Sequence, residues 1–125
     1  MRRAKLADAW RHKRASFPYT VRPGQLFAVR DPDGRYAVMK VLAADGFAVH
    51  VRLYVQRFEQ MPTAADLSSL TLGAFGPGSD NPFSIGHMPL APRGFAEDNP
   101  VLLAEVEVAD DELDGYRAWL DAHSS

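Results

Sequence analysis

The chain has 125 residues, 46% hydrophobic and 24% charged, with a formal net charge of −2, which fits one globular domain burying roughly two thirds of its unfolded surface. It contains no cysteine, so disulfides, thiolate nucleophiles and Cys-based zinc sites are excluded. No apolar run approaches the length of a membrane span, and the basic start MRRAKLADAWRHKR has no apolar stretch behind it, so a cytoplasmic protein without a transmembrane helix or secretory signal is expected.

Charge is distributed unevenly. Seven of the 14 Lys and Arg residues lie in the first 22 positions, whereas Glu97 to Asp121 holds nine acids and one base, Arg117. The N-terminal end would attract nucleic acid and the C-terminal end would repel it. Residues 1–22 read as a basic arm or short helix, with Leu6, Ala7 and Trp10 as a narrow apolar stripe. Its bases are spread around the helical wheel, which argues against a membrane-surface helix.

Three strand-like runs follow. The first, Gln25 to Arg30, is introduced by Pro23-Gly24. Asp31-Pro32-Asp33-Gly34 then offers Pro at the fixed-φ position of a type I turn and Gly at its end, which predicts a hairpin. The second run, Tyr36 to Leu42, ends at Asp45-Gly46, another hairpin signal. The third, Phe47 to Val55, alternates. Phe47, Val49, Val51, Leu53 and Val55 are expected to face the core with Phe27, Val29, Val38 and Leu42, while His50, Arg52 and Tyr54 face outward. Lys40 is the misfit of the second run, expected to snorkel or to lie at a sheet edge.

Thr63 with Asp66 three residues on predicts a helix start, continuing through Leu70. Gly73 to Asn81 reads as a turn-rich loop. Phe83 to Leu90, interrupted by Gly86 and closed by Pro89, suits an edge strand. Ala91 to Asn99 reads as a connection. Val101 to Val108 is a fifth strand expected to bury Leu102, Ala104, Val106 and Val108. A terminal helix from Asp111 to Ala122 should start on its acids and dock through Leu113, Tyr116, Trp119 and Leu120.

Candidate chemistry is sparse. His50, Arg52, Tyr54 and Arg57 form a basic and aromatic strip that could grip an anion, a nucleic-acid backbone or carboxylates of a partner. His87, between a glycine and a proline segment, is the most site-like histidine. With only Asp80 close in sequence and His50 remote, no metal-ligand spacing is present. Ser79 lacks the nucleophile-elbow pattern, and the glycines from Gly73 to Gly78 lack the Gly-Lys-Ser/Thr ending of a phosphate loop. No catalytic residue, metal or cofactor is therefore implied.

The segments Pro23-Gly24-Gln25-Leu26-Phe27-Ala28-Val29, Asp33-Gly34-Arg35-Tyr36-Ala37-Val38 and Gly86-His87-Met88-Pro89-Leu90 together resemble the immunity protein 26 family of bacterial toxin systems. That family has a proline-glycine start, a first strand ending in a small hairpin and a later Gly-His-x-Pro element. The resemblance implies a non-enzymatic protein that binds and neutralises a toxin, and it carries over no catalytic residues.

The expected architecture is a single α+β domain, mainly antiparallel β. A strongly bent sheet of five to six strands, or a small SH3-like barrel, spans residues 23–108, and a C-terminal helix spans 109–122. The expected function is protein binding, with an acidic surface suited to a basic toxin. The first alternative is nucleic-acid binding through the basic arm and the Arg52 to Arg57 strip. The second is a small enzyme or ligand carrier with a pocket gathering His87, Asp80 and His50. Unpaired strand edges are compatible with either a monomer or a homodimer.

Overall fold

The computed structural model describes residues 21–45, 47–73 and 84–123. The expected N-terminal arm, Asp80 and most of the Gly73 to Asn81 loop lie outside them. Five strands, β1 (Gln25–Arg30), β2 (Tyr36–Ala44), β3 (Val49–Phe58), β4 (Ile85–Leu90) and β5 (Val101–Glu105), form one antiparallel sheet in the order β4-β3-β2-β1-β5. Helix α1 (Ala64–Leu67) follows β3, and α2 (Pro92–Glu97) joins β4 to β5. A 3₁₀ turn (Asp110–Leu113) leads into α3 (Asp114–His123). The fold is thus α+β with an open sheet. The barrel expectation is corrected, because β4 and β5 lie at opposite edges and each has one paired neighbour among the described strands.

Local chemistry explains most of these elements. In the first hairpin the Gly34 amide donates to the Asp31 carbonyl at 2.9 Å and the Asp31 amide to the Arg35 carbonyl at 2.8 Å. Gly34 takes a φ of +92° there, which a residue without Cβ adopts at no steric cost. Thr63 and Asp66 form a reciprocal capping box, with the Asp66 amide donating to the Thr63 hydroxyl and the Thr63 amide to the Asp66 carboxylate. β4, as expected of a run containing Gly86 and Pro89, is an edge strand.

Both faces of the sheet are covered, which changes the expected core. On one face Phe27, Val29, Ala37, Met39, Val41, Val49 and Val51 cluster with Phe95 of α2, while Leu53, Met88 and Leu90 pack against them. On the other, Leu26, Val38 and Tyr54 are joined by Phe58, Leu67, Leu70, Leu72, Leu103 and Ala104. Pairing of Phe27 with Met39 and of Val29 with Ala37 puts Ala37, Met39 and Val41 beside Phe27, so Val38 and Leu42 belong to the opposite face. Phe47, expected inside, is 87% exposed, and Leu102, Val106 and Leu120 are exposed as well. The expected connection at Ala91 to Asn99 contains α2, which starts with Pro at its first turn and ends before Asn99 at a φ of +51°. Its Phe95 is fully buried and meets Phe27 edge-on, with ring centroids 5.2 Å apart.

Candidate functional site

The residues singled out as an outward strip do not face solvent. His50 and Tyr54 are buried, Arg52 is half-buried, and the 3₁₀ turn and α3 supply partners to this side of β3. The correction has a structural cause, since the acidic C-terminal segment brings its charges onto the basic residues of β2 and β3. Glu112 is the hub. Its Oε1 accepts from Lys40 Nζ at 2.9 Å and from the Ala109 amide at 2.8 Å, and its Oε2 lies 3.4 Å from Arg52 Nη1.

Lys40 therefore neither snorkels nor lies at an edge. It sits on β2, the central strand, with its side chain 4% exposed, and also donates to the Glu107 carbonyl at 2.8 Å. A buried ammonium is tolerated only when paired and hydrogen-bonded, and both conditions are met. Burial would raise the Glu112 carboxyl, but the Lys40 hydrogen bond, the Ala109 amide and the charges of Lys40 and Arg52 together hold it below its ordinary value. Tyr54 on the same face is pushed up to about 12, first by burial and then by the Glu112 charge, against an opposing effect of Arg52.

Arg57 is likewise engaged within the fold. Its Nε donates to Asp31 Oδ2 at 2.6 Å, and its Nη1 donates to the Tyr54 carbonyl at 2.7 Å. The guanidinium thus ties the end of β3 to the β1–β2 hairpin. Among the described residues no buried side-chain nitrogen or oxygen lacks a hydrogen-bond partner.

His50 and His87, remote in sequence, are brought together. His50 Nδ1 lies 3.0 Å from His87 Nε2, and His50 Nε2 lies 3.2 Å from Asp45 Oδ2, forming a carboxylate–imidazole–imidazole chain. The two rings are nearly parallel, at 12°, and meet edge to edge with centroids 5.2 Å apart, and Tyr116 and Trp119 of α3 close over His50 at 4.5 and 4.7 Å. Asp45 holds the β2–β3 turn with its other oxygen, which accepts from the Phe47 and Ala48 amides at 2.8 Å each. The Phe47 amide, then the Ala48 amide and His50, hold this carboxyl below its ordinary value against the opposing effect of burial. Burial, followed by the neighbouring His50, pushes His87 down. His50 is 0% exposed, so it touches no substrate from outside. Among the described residues no group of three or more His, Asp or Glu side chains could hold a metal ion.

An accessible concavity lies on the other face. A groove of about 580 Å³ opens between the β1–β2 hairpin and the end of α2. Val29, Met39, Leu53, Met88 and Leu90 form its apolar lining, and Arg30, Asp31, Asp33, Arg35, Arg57 and Asp98 its charged lining. Most of those charges are already satisfied. Arg57 pairs with Asp31 and Arg35 with Asp33, while Arg30 lies 4.2 Å above the Tyr36 ring and donates to the Gly34 carbonyl. The Arg35 hydrogen bonds lower Asp33 to about 2. Asp98 differs, because its carboxylate makes no ion pair with a described residue. Partial burial, then the adjacent Glu97, raises its affinity for a proton.

The sequence reading missed this groove. Its lining comes from four strands and the end of α2, so no linear motif carries it. One signal was present, the period-two placement of Leu53 opposite Met39, but the assignment of Val38 to that face hid it. Among the described residues no helix is long and apolar enough to cross a membrane. Comparison with family models, with curated proteins and with solved structures finds no match to this chain.

Proposed function

We propose that the chain is a protein-binding module of the toxin-immunity kind, and that the groove beside α2 receives a partner segment presenting an apolar side chain next to a basic one. The observation that carries this reading is the combination of a Met-containing apolar lining with the Asp98 carboxylate, which makes no ion pair with a described residue. Methionines adapt to varied apolar surfaces, and a cation placed beside a carboxylate that burial and Glu97 have made more basic would relieve both effects. A site of this size also falls in the range of small-ligand pockets, but the open groove supports a side chain delivered by a protein.

The test is calorimetric titration of the full chain with the product of the gene adjacent to its own, the natural position of a cognate toxin. Binding is expected, with a loss of about tenfold or more for Asp98→Lys and a larger loss for Leu90→Glu, both variants keeping the native circular dichroism. Absence of binding, or binding indifferent to both substitutions, overturns the reading. The nucleic-acid alternative has weaker support, since Arg52 and Arg57 are both engaged inside the fold. It predicts affinity for generic DNA or RNA that falls steeply with added salt, and no detectable binding at low salt removes it.

A further inference from the structure

The Asp45, His50 and His87 chain is not used by the groove, and its geometry limits how many protons it can carry. A hydrogen bond between two imidazole nitrogens requires one of them to be bare. In the neutral arrangement His50 donates through Nε2 to Asp45 and accepts through Nδ1 from His87 Nε2. One added proton is accommodated, because it can enter at His87 Nδ1 while the His87 Nε2 proton crosses to His50 Nδ1, so that His50 donates from both nitrogens and His87 accepts on Nε2. A second proton places N–H groups on both facing nitrogens, 3.0 Å apart, and two positive charges beside one carboxylate. The two rings must then separate.

The surrounding contacts determine what moves. His50 is sealed on β3, whereas His87 is half-buried on the edge strand β4. The first turn of α3 rests directly on His87, since a Cβ added to Gly115 would lie 2.6 Å from the His87 Cβ. The Tyr116 and Trp119 rings span both imidazoles, at 6.1 and 6.4 Å from His87. The groups facing the pair are Asp45 from the β2–β3 turn and Tyr116 and Trp119 from α3, with His123 stacked on Trp119 at 4.3 Å. Arg52, which reaches the Gly86 carbonyl next to His87, is paired with Glu112, and Glu112 is also paired with Lys40. Of these groups, Asp45 is the anion in direct contact, and it balances one imidazolium.

We propose that the His50–His87 pair is a proton-operated latch that holds α3 on the sheet when the pair carries at most one extra proton and releases it when both rings are charged. The lowered proton affinity of His87, caused by burial and then by His50, sets the direction. Native His87 binds fewer protons than His87 of the unfolded chain, so docking is at full strength above the ordinary histidine value of about 6.5 and is lost as the pH falls below it. The apparent titration belongs to the pair and not to either ring alone.

The test follows histidine-ring nitrogen resonances and α3 amide exchange in the unmodified chain from pH 8 to pH 5. Trp119 emission is followed in parallel in a Trp10→Phe, His123→Gln background, which removes the second indole and the quenching imidazole. The expected result is a red shift of Trp119 emission and at least about tenfold loss of α3 protection. Both should share one midpoint with the His50 and His87 resonances, while the far-UV signal of the sheet is retained. In His87→Gln, whose amide still hydrogen-bonds but does not titrate, the transition disappears. An unchanged transition in His87→Gln, no change in Trp119 between pH 8 and pH 5, or loss of the sheet signal at the same midpoint each overturns the latch.

Discussion

On one face of the sheet Phe27, Met39 and Val51 pack against α2 and leave a groove open beside it. On the other, Lys40, Arg52 and His50 lie beneath the acidic turn and α3. The face that carries Lys40, His50 and Arg52 is the one the fold closes, and the groove on the opposite face has a lining both apolar and charged. The difference shows that charge on a strand does not by itself mark a solvent face, because a distant segment of opposite charge can cover it. Here Glu112, separated from Lys40 by 72 positions, supplies that cover.

The two faces should respond differently to substitution. The largest effect is expected from Phe95→Ala, which empties a fully buried ring site and should cost about 3 to 5 kcal/mol in denaturant unfolding. Next is Lys40→Ala, expected to cost about 3 kcal/mol, because Glu112 would stay mostly buried without its principal cation. A Lys40→Met, Glu112→Leu double variant sharpens the comparison. Recovery of most of that stability would show that the ion pair fixes where the C-terminal segment docks more than how firmly. If the double variant is as unstable as Lys40→Ala, the polar face depends on its charges for strength.

A smaller loss, about 1 to 3 kcal/mol, is expected for Gly115→Ala, whose new Cβ would force His87 away from α3. Its unfolding midpoint and Trp119 emission should both move. The smallest effect is expected at Thr63→Ala, about 1 kcal/mol, through loss of the capping hydroxyl on the single-turn α1. This helix lies to the side of the comparison, so Trp119 emission should not change.

Features encoded by neighbouring residues were legible in the sequence. The Asp31 to Gly34 turn, the Thr63 and Asp66 box, the edge character of β4 and the terminal helix all follow from side chains acting within a few positions. The face assignment of β2 was not legible. Its residues are almost all apolar because both faces are buried, and a strand covered on both sides loses the alternation that sets its register. Register irregularities between Ala37 and Met39 and between Val41 and Ala43 further decouple counting from pairing. For the candidate residues, the sequence correctly placed His50, Arg52 and Tyr54 on one face of β3, but which face met solvent depended on α3, more than 50 positions away. The encounter of His50 with His87 needed the pairing of Val51 with Met88 and of His50 with Pro89, which no local pattern encodes. Pro92 and Asn99 did mark the two ends of α2, and reading them as helix boundaries would have found it.

The strand order has a consequence for the chain as it is made. β1 to β3 are consecutive hairpins and can pair as soon as they emerge from the ribosome, yet the outer edge of β1 is completed by β5, whose pairing runs to Glu105. At ordinary elongation rates that edge waits roughly 4 to 15 s for its neighbour. During this interval the nascent chain presents the bare hydrogen-bonding groups of Gln25 to Arg30, and the sheet acquires its β5 border only after Glu105 has emerged.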